Sequence, residues 1–148
     1  MSSAARQGRQ GLVSAWLAQM IGTVVLAAVV LAYVRSAGAP FGAGDVDWKR
    51  YAMIGILAGA APALLYLRTF KRRLNAYEAT ANREGDNGDP ALRVALMKAL
   101  AIGGAMCELP MAMGVVQLFF GGETRWFLGA TLVTIALRLS YRPFQRVS

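Results

Sequence analysis

This chain of 148 residues has no histidine, one cysteine, and half as many acidic side chains as basic ones, 8 against 16. Without histidine the commonest general base is missing, and with it the Ser-His and Cys-His dyads of nucleophilic catalysis. The single cysteine, Cys107, cannot close a disulfide within the chain, and no Cys/His zinc cluster can be assembled around it. No apolar block holds paired carboxylates or ligands at metal-binding spacing. We therefore expect no enzyme, no cofactor and no metal site, and an enzyme acting on lipids ranks last among the function classes. Charge is scarce as well: charged residues make up 16% of the chain and hydrophobic ones 56%, with a mean hydropathy of +0.42. That balance lies outside the range of a soluble domain of this size.

What the sequence does have is long apolar runs, four of them, separated by charged stretches. The pattern is that of several membrane-crossing helices in one domain, 1–148. The first run, Leu12 to Val34, is too long for the core of a signal peptide and carries Trp16 and Tyr33 near its ends, where amphipathic rings favour the headgroup layer. The second spans about 48–67 and contains Pro62, which a membrane helix tolerates when neighbours satisfy the released carbonyl. The third follows "GDNGDP", with Asp89 suited to an N-cap and Pro90 to the first helical residue, and its membrane part covers about 99–120. The fourth, about 126–141, has only a dozen apolar residues before Arg138 and must thin the bilayer, stand upright, or let Arg138 snorkel.

The net charge of +8 raises nucleic acid as a partner, but the basic residues stand at the ends of the apolar blocks, as orientation in a bilayer requires. We expect a lipid bilayer and no nucleic acid. Arg68, Lys71, Arg72 and Arg73 open the polar stretch 68–90, Arg6 and Arg9 lead the chain, and Arg142 and Arg146 close it. All three segments are expected on the cytoplasmic side, with the 68–73 cluster touching anionic headgroups. The other connections hold fewer cations, although Arg35, Lys49 and Arg50 there stand against Asp45 and Asp47. The expected fold is an all-α integral membrane four-helix bundle with both termini cytoplasmic, multi-pass in the cytoplasmic membrane of a bacterium. Leu74 to Arg83 is a candidate extension of the second helix.

Glu108 interrupts the third run. It lies about 18 Å from Phe120 and about 15 Å from Lys98 at the helical rise, close to the midplane. An ionised carboxylate there costs roughly 2.5 to 3.5 kcal/mol on insertion scales, so Glu108 is expected to be neutral, paired or in contact with water. Its helical face collects Ala101, Gly104, Ala105, Ala112 and Val115, a strip of small side chains suited to another helix. The second run offers a match in Ala52, Gly55, Gly59 and Ala63, where Gly55 and Gly59 form a GxxxG pair. Pro110 blocks the bond to the Met106 carbonyl and leaves an acceptor one turn from Glu108.

A hairpin with a glycine-bearing first arm, a basic polar loop, and a second arm carrying a mid-membrane carboxylate followed by proline distantly resembles the proteolipid (c) subunit of rotary ATP synthases. The likeness covers Trp48 to Gly122. It implies that Glu108 binds and releases a proton or cation, that Pro110 occupies the family's proline neighbourhood, that Gly55 and Gly59 belong to the close-packing helix, and that Arg68 to Arg73 begin the polar loop. The Glu-x-Pro helix in a small four-span chain is also similar to other small bacterial membrane proteins, which implies no activity.

Two functions follow as expectations. In one, Glu108 is an ion or proton site, in a homo-oligomer or a larger membrane complex, with Arg138 as the available counter-ion. In the other, the protein is a non-catalytic subunit or assembly scaffold and Glu108 only fixes helix packing. Arg138 lies about 18 Å deep counted from Trp126 but about 6 Å deep counted from Arg142, and the shortness of the fourth run favours the shallow count and snorkelling. Thr131, Thr134 and Arg138 share a face that can line a polar seam with Gln19, most simply as hydrogen bonds between helices. Met106, Met111, Met113 and Cys107 read as packing residues, and Gln117 points away from the Glu108 face.

Overall fold

A computed structural model describes residues 3–41, 48–84 and 90–143, and describes side chains over 10–41, 50–80 and 90–143. Arg6, Arg9, Asp45, Asp47, Lys49, Arg83, Asp89 and Arg146 therefore lie, with their expected roles, outside the described side chains. Among the described residues all regular structure is helical: α1 (Ser3–Ala37), α2 (Trp48–Glu84), α3 (Pro90–Cys107), α4 (Leu109–Phe119) and α5 (Thr124–Ser140). The last three turns of the third apolar run form a helix of their own because the ladder breaks at Glu108.

Three segments are long and apolar enough to cross a membrane: Gln10–Ala37, Arg50–Thr80 and Pro90–Phe119, the last made of α3 and α4 together. Helix α5, with 17 residues, spans about 26 Å, short of a hydrocarbon core of about 30 Å. Helix α2 runs unbroken through Arg68, Lys71, Arg72 and Arg73 to Glu84, so about three quarters of the polar stretch 68–90 is helix and not loop. Straight-chain Leu, Arg, Lys and Glu lose little rotamer freedom in a helix, and no glycine or proline stands between Pro62 and Glu84 to stop it.

The α3/α4 segment is central. Of its apolar window 44% is buried, against 17% for that of α1, and α2 and α5 both pack along it. Chain reversal between α4 and α5 is tight because Gly121 takes φ +90°, a conformation L side chains rarely adopt. Two apolar clusters fill the bundle. One holds Leu12, Trp16, Ala63, Phe70, Leu96, Leu100, Cys107, Leu137 and Tyr141, and the other Ala27, Val30, Met111, Leu118 and Phe127. A polar layer joins α1, α5 and the junction of α3 with α4.

Candidate functional site

Glu108 is the hinge residue between α3 and α4, still in the right-handed helical region at φ −79°, ψ −15°. Its N–H donates to the Ala105 carbonyl at 3.2 Å, a tightened turn in place of the usual bond four residues back. The cause is two residues on. Pro110 has no N–H to give the Met106 carbonyl, and the next donor, Met111 N–H, turns to Thr134 Oγ of α5 at 3.2 Å. The helix resumes at once, since Ala112 N–H reaches the Glu108 carbonyl at 2.9 Å. A break forced by proline is thus filled by a hydroxyl from the neighbouring helix.

Arg138 sits in the last turn of α5 with its side chain 2% exposed. Its Nη2 donates to Glu108 Oε1 at 2.5 Å and its Nη1 to Gln19 Oε1 of α1 at 2.9 Å. Its carbonyl accepts the Trp16 Nε1–H at 2.7 Å. Through this one residue α1, the α3/α4 hinge and α5 are tied together. The Gln19 amide fits because Gly104 has no side chain, and a Cβ there would stand 2.5 Å from Gln19 Oε1. Burying two charges costs several kcal/mol each, and mutual attraction offsets this only when other hydrogen bonds satisfy the remaining donors. Gln19 supplies one of these. Arg138 Nε, also buried, has no partner among the described residues.

The expectation of a snorkelling Arg138 is corrected here. Helix α5 folds back along α4 and ends at Tyr141, whose ring lies over Gly103 and whose hydroxyl donates to the Ala63 carbonyl. That places Arg138 level with Glu108, as the count from Trp126 gives. Trp16 is turned inward: it is 8% exposed, and its indole N–H is given to α5.

Glu108 is half exposed, 54% of its side chain lying on the outer surface of the bundle. The strip expected to pack on α2 divides: Gly104 is buried against Gln19, while Ala101, Ala105 and Ala112 share the outer face with Glu108. Helix α2 does approach the hinge, but on the opposite side. A Cβ on Gly59 would lie 3.1 Å from the Leu109 carbonyl carbon and the Pro110 nitrogen, and one on Gly55 would lie 3.6 Å from Met113. Residues two apart on a helix face nearly opposite ways, so the buried side of the hinge belongs to Pro110 and the outer side to Glu108.

Of the expected seam, Gln19, Arg138 and Thr134 join the hinge, whereas Thr131 Oγ bonds its own Phe127 carbonyl. Gln117 stays apart, its amide donating to the Gly114 and Glu123 carbonyls at the α4–α5 turn. Cys107 is fully buried beside Glu108, and Met111 is buried in the second cluster. Arg68, Lys71 and Arg72 are exposed along α2, and exposed Arg73 reaches the Ala95 carbonyl at 3.4 Å. Sequence reasoning missed Trp16 and Tyr141 as internal polar anchors, although their pairing with a helix too short to reach a headgroup layer was a usable signal. Among the described residues no three metal-ligating side chains come together. Compared with models of protein families, with curated proteins and with solved structures, the chain matches none.

Proposed function

We propose that this chain is a multi-pass membrane protein, with four spans and both termini cytoplasmic, that serves as a non-catalytic subunit or assembly scaffold of a larger membrane complex. One observation carries this reading: Glu108 is held by a buried arginine of the same chain, which is itself held by Gln19. A carboxylate engaged in this way fixes the register of three helices. Its outward side, flanked by Ala101, Ala105 and Ala112, offers a close-packing face on which lipid is a poor neighbour for a charge. Purification in mild detergent and mass measurement of co-purifying chains tests it. A stoichiometric membrane partner, lost when Ala105 and Ala112 are enlarged to Leu, is the expected result. Recovery of the chain alone, unchanged by those substitutions, overturns it.

A second reading keeps Glu108 as a proton or cation site in an oligomer, the role implied by the likeness to the proteolipid subunit. What favours it is the half-exposed carboxylate, reachable from the outer face while one oxygen engages Arg138. Carbodiimide labelling separates the two. A site that exchanges protons is labelled at Glu108, and a carboxylate occupied by Arg138 in a purely structural role is not.

A further inference from the structure

Helix α5 ends early, and α2 does not. Tyr141 meets α2 at Ala63, while α2 continues for nearly six more turns, so part of the flank of α2 below the end of α5 is left open. The result is an open cleft of about 640 Å³. Its apolar wall is Phe70, Leu74 and Leu139, and its rim carries Lys71, Asn75, Ser140 and Arg142, with Glu78 two turns along α2 from Lys71. Phe70 and Lys71 lie about two turns, roughly 10 to 12 Å, beyond the Ala63 anchor, where the apolar part of α2 gives way to Arg68–Arg73.

From this we infer that the cleft binds the phosphate headgroup of an anionic phospholipid, with Lys71 and Arg142 on the phosphate and the first part of an acyl chain against Leu74 and Leu139, the part-exposed and exposed members of the apolar wall. Neither cation has a carboxylate partner among the described residues. Arg142 is also positioned in advance, its guanidinium 5.9 Å from the centre of the Trp16 ring, so little freedom is lost when it takes up a phosphate. Asn75 adds a neutral hydrogen-bond donor, whereas the Ser140 hydroxyl is already given to the Ala136 carbonyl. The apolar wall selects a lipid over free phosphate, since inorganic phosphate leaves Leu139 and the exposed part of Leu74 uncovered. This inference uses the membrane reading only to place the cleft at the inner end of the spans, and its failure leaves the role of Glu108 and Arg138 untouched.

The test titrates the purified full chain in mild detergent with phosphatidylglycerol, phosphatidylcholine and inorganic phosphate, reading bound lipid by native mass spectrometry. Phosphatidylglycerol is expected to bind best. Lys71→Gln and Arg142→Gln should each weaken it about fivefold, the effect of one cation at a lipid phosphate. Arg72→Gln, on the same helix but outside the cleft, should leave it unchanged. If Arg142→Gln disturbs folding through Trp16, Lys71→Gln alone carries the comparison. Equal losses in Arg72→Gln and Lys71→Gln would mean general surface attraction and overturn the site. Inorganic phosphate binding as tightly as the lipid, or phosphatidylcholine binding as tightly as phosphatidylglycerol, would overturn the assignment to an anionic lipid.

Discussion

Arg138 Nη2 lies 2.5 Å from Glu108 Oε1, so the cation that closes α5 meets the acid at the α3/α4 hinge. The arginine side chain is almost wholly buried and the glutamate half exposed, which makes the pair asymmetric. Loss of the acid strands a buried cation, whereas loss of the cation leaves an acid that can still turn outward.

A double-mutant cycle follows from that asymmetry. Glu108→Ala should destabilise the bundle by about 3 kcal/mol, the lower end of the cost of an uncompensated buried charge. Arg138→Met, which keeps volume and removes charge, should cost less than Glu108→Ala. The double variant should recover about 1 to 3 kcal/mol relative to the sum of the two. Thermal or SDS-induced unfolding in detergent micelles measures all three, and strict additivity would show that the contact carries no coupling.

The two glycines of the α2 GxxxG pair should behave differently. On Gly59 a methyl group meets backbone atoms of Leu109 and Pro110 at 3.1 Å, and backbone cannot swing aside. Gly59→Ala is expected to force α2 from the hinge and cost about 1 to 3 kcal/mol. On Gly55 the methyl meets the flexible Met113 side chain at 3.6 Å, ordinary van der Waals contact, so Gly55→Ala should lie within about 0.5 kcal/mol of the parent. Unfolding midpoints of the two variants, measured side by side, check the difference.

How much of this was legible in sequence depends on whether a feature is local. Helical periodicity and apolar run length are local, and three of the four apolar runs are helices long enough to span a membrane. The kink at Glu108 was legible because proline lacks an N–H wherever it stands. The direction Glu108 faces was not, because a strip of small residues shows that a helix can approach but not which one, and the GxxxG pair proved to meet the Pro110 side. Arg138 was ambiguous because its depth depends on where α5 stops relative to its neighbours. That is fixed by the Tyr141 contacts with Ala63 and Gly103, which no run of consecutive residues encodes.

Those contacts make Gly103 and Gly104 a second unequal pair. At Gly103 an added methyl collides with the ring of Tyr141, which is pinned by its hydroxyl bond to Ala63 and by Phe70 at a ring separation of 5.0 Å. Gly103→Ala should therefore lift the end of α5 and cost about 2 to 3 kcal/mol. At Gly104 the methyl meets only the amide end of Gln19, a side chain with freedom to move. Gly104→Ala should cost about 1 kcal/mol, the typical net value of the Gln19 bond to Arg138 that it displaces.

Cys107 reports on the same region without perturbing it. Its thiol is fully buried between Glu108 and the first apolar cluster, so a maleimide should not reach it in the folded bundle. Labelling should then proceed only through opening of the bundle, at a rate that tracks stability when opening and closing are fast. Glu108→Ala and Gly103→Ala should accelerate labelling by roughly the factor their destabilisation implies, about tenfold for each 1.4 kcal/mol. Gly55→Ala should leave the rate unchanged. Because the thiol lies on the α3 side of the hinge, a variant that loosens only the α4–α5 turn, such as Gln117→Ala, should lower the unfolding midpoint with a smaller effect on labelling. Rapid labelling of the unaltered protein under native conditions would contradict the packing of α3 against α2 and α5 on which the Glu108–Arg138 contact depends.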